Sequence, residues 1–272
     1  MSTSKIKKEW LRILKLIRNP RKILYSACQK YIYHYNGYSY DFNKNGEREI
    51  FNRLNLLQLE CIFDVGANVG DWTKIALDTF PHATIHCFEL SSSTFANLTK
   101  NIKSSRVKLN NFGLSCQSGS VAYKDYGENS GVNTILTNAR YHDNKIQPST
   151  LYSTIEMGDK YCSENNIDSI DFMKIDVEGA EHLVLYGFSD MLRKKSIRII
   201  QFEYGYAHGD AKFLMRDFFE FYNSLGYDVG RITKNGVEFK EWTYKDNDFT
   251  SGPNYLAVLH DDVEIKSLLK TK

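Results

Sequence analysis

From residue 46 onward the chain switches repeatedly between two hydrophobic rhythms. Amphipathic stretches with apolar residues three and four apart read as helices. Short, almost wholly apolar runs bounded by polar or turn residues read as buried strands. "GEREIFNRLNLL" (46–57) predicts a helix and "CIFDVG" (61–66) a strand. "DWTKIALDTF" is a helix closed by Pro81, "ATIHCFEL" (83–90) a second strand, and "SSSTFANLTKNI" a helix opened by serine caps. "VKLNNFGLS" (107–115) is a third strand, followed by "SVAYKDY", a polar loop, and "STLYSTIEMGDKYCSENN", part strand and part helix. "IDFMKIDVEG" (170–179) is a fourth strand, and its helix runs to Gly187, read as a C-cap. "IRIIQFEY" (197–204), the helix "AKFLMRDFFEFYNSLG", and the strands "YDVGRI" and "NYLAVL" complete the series, with a polar excursion between the last two. Such alternation predicts an α/β fold with a parallel sheet covered on both faces, and the closing strand pair predicts a hairpin at one edge.

Residues 1–45 follow a different pattern and are read as a basic amphipathic helical extension to a single domain spanning 46–272. Ile6, Trp10, Ile13, Leu14 and Ile17 keep helical spacing, and the pattern stops at Asn19-Pro20, because a residue preceding proline is driven out of the α region. A tyrosine-rich stretch, "YIYHYNGYSY", follows. Residues 5–22 carry eight Lys or Arg against one Glu. Two readings of that segment stay open: a helix lying on an anionic membrane surface, or one packed on its own domain or on a second subunit of a homo-oligomer.

Composition narrows the class. A formal net charge of +2 argues against a polyanion binder, so no nucleic-acid partner is expected. Five scattered cysteines without a C-x-x-C pair fit a reducing compartment. No run is apolar for the ~18 residues of a membrane span, and the first residues lack the apolar core of a signal peptide; the expectation is a cytoplasmic protein, peripheral to the membrane at most.

In a doubly covered parallel sheet, ligands sit beyond the carboxyl ends of the strands. The first run ends in Asp64, Gly66, Asn68 and Gly70, the second in Glu89, the third in Asn111 to Ser115, the fourth in Asp176 and Glu178, the fifth in Glu203 and Tyr204. The turn lacks the first glycine of the dinucleotide fingerprint, which counts against a nicotinamide enzyme. Strand ends lined with acids and amides suit a ligand bearing hydroxyls, an amino group and a positive charge rather than phosphates. S-adenosylmethionine is such a ligand: Glu89 would accept from its ribose hydroxyls, and Gly66 and Gly70 would let the backbone approach. Asp64 has a second reading, as a cap of the helix that follows.

"FDVGANVGDW", "CFEL", "NFGLS" and above all "DFMKIDVEGAEHLVLYGF" resemble the FkbM family of S-adenosylmethionine-dependent methyltransferases over roughly residues 60–205. The resemblance implies a class I methyltransferase (Rossmann-like) fold, a seven-stranded sheet with its last strand antiparallel, and methylation of hydroxyls on sugars or related small molecules. It implies cofactor-binding roles for Asp64, Gly66, Asn68, Gly70 and Glu89, to which Ser115 is added from the third strand, and functional positions at Asp176, Glu178, Gly179 and Glu181. Leu90 stands where the family often has proline, and Cys116 where it often has an acid.

Methyl transfer to oxygen needs an aligned acceptor and a route for its proton. Asp176, Glu203 and His208 are the catalytic candidates; Glu178, His182 and Tyr204 are the candidates for holding the acceptor. Glu181, in a first helical turn, is read as structural. Asp176 lacks a nameable second ligand, so no metal is expected. Nitrogen methylation of protein or nucleic acid is disfavoured, because "DVEGAE" stands where an Asn/Asp-Pro-Pro-Tyr-like turn would hold an amine. A non-catalytic interaction protein of the same fold would have lost the glycines or Glu89.

Overall fold

The computed structural model describes residues 19–127, 129–136, 138, 147–249 and 254–271. The basic segment's Ile6, Trp10, Ile13, Leu14 and Ile17 therefore lie outside the described residues. No helix among the described residues is long and apolar enough to cross a membrane.

The parallel core consists of β1 (Cys61–Val65), β2 (Thr84–Phe88), β3 (Val107–Asn110), β7 (Ile170–Ile175) and β8 (Ile197–Glu203). β11 (Asn254–Leu259) lies antiparallel to both β8 and β9 (Tyr227–Thr233), and β10 (Gly236–Phe239) pairs with β9 at the edge. The order across the sheet is β10-β9-β11-β8-β7-β1-β2-β3. Seven of these strands match the predicted runs and have the class I methyltransferase order, with the last strand inserted antiparallel. The eighth, β10, comes from the polar excursion, whose four-residue strand is too short to carry an alternating pattern.

Alternate residues of each central strand feed opposite cores. Ile62 and Phe172 pack on one face with the helices Glu47–Leu54, Asp71–Thr79, Ser92–Asn101 and Val263–Leu269. Phe63, Val65, Met173 and Ile175 pack on the other with Glu181–Gly187, Ser189–Arg193 and Met215–Ser224. The same alternation leaves the strand ends free of covering helices, which is where the polar residues gather.

Two expectations need correction. "VKLNNFGLS" is not one strand: the backbone leaves the main sheet after Asn110, and β4 (Gly113–Ser115) joins a second, three-stranded sheet of order β4-β6-β5, with β5 (Gly119–Asp125) and β6 (Ser149–Met157). Gly187 is the last residue of its helix, followed by Phe188 at φ −106°, not a left-handed cap. Its missing side chain admits the Ser115 carbonyl, so helix and small sheet touch backbone to backbone. Pro20 opens a helix (Pro20–Asn36), because proline is pre-set for the first helical position and Asn19 caps it. That helix buries none of its residues.

Candidate active site

The turn after β1 brings the first group of candidates together. The Gly66 and Ala67 amides both donate to the Phe88 carbonyl, tying the turn to the end of β2. Gly66 has φ +84°, and a Cβ there would collide with the Asp176 carbonyl oxygen. The glycine is thus required by the closeness of β1 and β7. Gly70 has φ +90° and packs on Leu98 and Ile102 of the helix Ser92–Asn101. It lines neither chamber of the cleft described next.

A cleft runs over these strand ends in two connected chambers. The inner one is lined by Glu89 and by the apolar Val65, Phe88, Leu90, Leu114 and Ile155. The outer one, about 510 Å³, is lined by Tyr40, Phe42, Trp72, Lys174, Asp176 and Glu203 among others. Gly66, Asn68, Gly131, Asp176 and Glu178 line both and form the junction.

Glu89 is 8% exposed. Its carboxylate accepts from the Asn68 amide at 3.0 Å and the Ser91 amide at 2.8 Å. Burial outweighs these two bonds and pushes its pKa up to about 7. Each carboxylate oxygen keeps acceptor capacity toward the chamber, and Asn68 Oδ1, at the junction, is buried without a hydrogen-bond partner among the described residues. A ligand presenting vicinal hydroxyls and a nearby donor, beside an apolar ring, matches that chamber. S-adenosylmethionine is such a ligand.

The outer chamber is organised around Lys174, next to last in β7 and 10% exposed at its side chain. Its ammonium is 3.3 Å from Asp64 Oδ1 and 3.2 Å from Asp176 Oδ2. Burial alone would lower the Lys174 pKa, but the charges of Asp176 and Asp64 raise it instead. Asp64 is fully buried and its second oxygen accepts from Thr73 Oγ1 at 2.6 Å. It is therefore neither the helix cap nor a lining residue of the cleft; it anchors Lys174 from behind. Asp176 feels burial, which raises its pKa, but Lys174 and a hydrogen bond from Glu203 prevail and hold it below the usual carboxylate range. Glu203 moves the other way: burial, then the Asp176 charge, push it well above that range. The pair is a carboxylic acid donating to a carboxylate. Oxygens of Asp176, Glu178 and Glu203 all lie within 4.8 Å of one another. The fold thus supplies Asp176 with the neighbours that sequence spacing left unnamed, close enough together to share a divalent cation.

The remaining candidates lie elsewhere. His208 is 1% exposed, and its Nε2 stands 2.8 Å from Glu181 Oε2. Glu181 in turn accepts from the Val177 amide at 3.0 Å, so both brace the turn after β7 from beneath. Placed there, His208, a catalytic candidate from the sequence, lines neither chamber of the cleft. His182 stacks on Phe213 with ring centroids 4.8 Å apart, and Tyr204 is buried among Phe249, Phe218 and Tyr255; neither lines the cleft. Ser115 is buried and also stands back from it, while its neighbours Gly113 and Leu114 line the inner chamber. Cys116 is likewise outside it, whereas Leu90 lines it.

Several lining residues escaped the sequence reading. Tyr40, Phe42 and Asn45 come from the stretch assigned to the extension, and Glu47 from the first helix of the domain. Glu47 is buried, held by Asn45 and Gln201, and its pKa is raised by that burial. Lys174 did leave a signal: a lysine inside the apolar run "IDFMKI" must find a partner for its charge.

The model of the Methyltransferase FkbM domain family matches residues 64–229, more than half of the chain, and the chain belongs to that family. Three characterised relatives are similar to it. One is Methyltransferase 1 of Beauveria bassiana, 26% identical over 47% of this chain and 58% of its own length. Another is the hexuronic acid methyltransferase AglP of Haloferax volcanii, 28% identical over 59% of this chain and 64% of its own. The third is the 2-O-methyltransferase NoeI of Sinorhizobium fredii, 27% identical over 53% of this chain and 62% of its own. The chain spans about three fifths of the length of each.

Proposed function

We propose that the protein transfers the methyl group of S-adenosylmethionine to a hydroxyl oxygen of a saccharide or related small molecule. The observation that carries this is the junction of the two chambers: the residues that close the Glu89 chamber, Asn68 and Asp176, also open the acid-lined one. A donor in the first chamber and an acceptor in the second would meet beside Asp176. Two relatives whose names record a hexuronic acid and a 2-O position as methyl acceptors support oxygen over nitrogen.

On this reading Glu89 and the turn at Gly66–Asn68 hold the donor. When bound, S-adenosylmethionine supplies an electrophilic methyl group. Asp176, kept ionised by Lys174, accepts the hydrogen bond of the acceptor hydroxyl and aligns its oxygen. With Glu178 it is one of the two carboxylates in the junction able to take the hydroxyl proton, a contribution typically worth about 10²–10⁴-fold. Glu203, already carrying its own proton, steadies the Asp176 carboxylate rather than acting as the base. His208 acts only through the turn it braces.

The test is transfer of radiolabelled methyl from S-adenosylmethionine into glycans of a cell extract by the purified protein. Label in an alkali-stable ether is the expected result. Label on nitrogen of protein or nucleic acid would overturn the reaction class.

A further inference from the structure

The outer chamber carries an electrostatic signature that the methyl-transfer reading does not use. Its walls present the carboxylates of Asp71, Asp176 and Glu178, beside the half-buried Glu203, which carries its own proton, and the buried Glu47, whose pKa burial raises. Lys174 is the single cation lining it among the described residues. That charge is already committed, at 3.3 Å to Asp64 and 3.2 Å to Asp176. A carboxylate entering the chamber would therefore find like charges and no cation to pair with, and like-charge juxtaposition is a strong means of rejecting a ligand.

The rest of the wall is suited to a polyhydroxylated ring. Phe42 and Trp72 offer apolar ring surface, and Asn45 and Asn254 offer amides that both donate and accept. Trp72 is nine-tenths buried, and its indole N–H has no hydrogen-bond partner among the described residues, leaving an unmatched donor in the wall. Carboxylates accept hydrogen bonds from sugar hydroxyls and pair with ammonium groups.

Resting on the saccharide reading above, we propose that the outer chamber selects its acceptor by charge: it takes neutral and amino sugars and rejects sugars bearing a carboxylate, with Glu178 as the discriminating residue. Glu178 suits this role because it lines both chambers. Its φ is +57°, and its carbonyl accepts from Thr134 Oγ1 at 2.9 Å. Replacement of the carboxylate by an amide changes its charge.

The experiment uses the full chain saturated with S-adenosylhomocysteine. Matched methyl glycosides of the glucose, galactose and mannose series, each as the neutral sugar, the amino sugar and the uronic acid, are titrated by ligand-observed NMR. In the series that binds, the neutral and amino forms are expected to bind at least about tenfold more tightly than the uronic acid, about 1.4 kcal/mol. Glu178→Gln should shrink that gap at least threefold, by the charge argument above, measured with S-adenosylhomocysteine at saturation for each protein. If the variant does not fold, salt serves instead. Raising ionic strength from about 20 mM to about 500 mM should narrow the gap in the unaltered protein, since the screening length drops to a few ångströms. Uronic acids binding as well as neutral sugars, with S-adenosylhomocysteine bound normally, would overturn the charge selection and leave the methyltransferase reading standing. Failure of every saccharide to bind would overturn both.

Discussion

Glu89 and Asp176 close the strands on either side of β1 in one cleft, yet the protein treats the two carboxylates in opposite ways. Glu89 is held by backbone amides of Asn68 and Ser91, contributed by its own turn and the adjacent one. Burial leaves it easily protonated, with a pKa pushed up to about 7. Asp176 is held by side chains, Lys174 and Glu203, and stays ionised. A site made by backbone donors tolerates much variation in side chains, whereas a site made by one buried cation depends on that cation. The first can wait for a ligand to fix its charge; the second is charged in advance.

The comparison breaks most visibly at Lys174. Lys174→Met removes the partner of two carboxylates, and breaking a buried ion pair costs about 3–5 kcal/mol. Urea unfolding should show a loss of that size, partly restored when Asp64→Asn is added. An unchanged midpoint for the single variant would mean that Lys174 does not organise the outer chamber. Glu89→Ala should leave stability comparatively unharmed and weaken S-adenosylhomocysteine binding by about 1.5–3 kcal/mol, the range for charged hydrogen bonds. Calorimetry showing equal affinity would remove Glu89 from the donor site.

Asp176→Asn keeps the shape and loses the charge. Turnover should fall more than about tenfold, with S-adenosylhomocysteine affinity nearly kept, because the lost contact acts mainly in the transition state. Equal losses in both measurements would place Asp176 on the donor rather than between donor and acceptor.

A smaller effect separates the two carboxylates by pH. In the unfolded chain Glu89 titrates near the usual glutamate value, about 4.3, whereas in the folded protein it does so at about 7. Between those values the folded protein binds the extra proton, so Glu89 makes stability fall as pH rises through that window. Ligand hydroxyls donate to the ionised form, so S-adenosylhomocysteine should bind more weakly below pH ~7, by up to about tenfold per pH unit. Glu89→Gln should flatten both trends. A wild-type affinity that is level from pH 6 to pH 8, given the value of about 7, would contradict the burial of that carboxylate.

The same contrast explains what could be read in advance. Glu89 and the glycine turn were legible because backbone-made sites are written in contiguous residues: an apolar run, a turn, a helix. The seven predicted strands were legible for that reason too. β4 was not, because "VKLNNFGLS" keeps its apolar rhythm through the point where Asn111 and Phe112 turn the chain into another sheet. His208 was misplaced because a histidine soon after a strand end looks exposed in one dimension. The turn Ala207–Ala211 and the helix Met215–Ser224 fold over it, and Phe218 packs against its ring. The outer chamber was the least legible, since Glu47, Lys174 and Glu203 converge from positions far apart in the chain.

The wall formed by Tyr40, Phe42, Asn45 and Glu47 has one more consequence. These residues all precede position 64, where the family match begins, while the turn, Glu89 and Asp176 lie inside it. On the proposed function, donor chemistry and one wall of the acceptor chamber are therefore written in separate, consecutive stretches of the gene. An exchange with a single crossover between codons 47 and 61 would recombine them, giving an old catalyst a new clientele in one step. Libraries built by shuffling at that point should diversify acceptors while sparing the machinery that grips the donor.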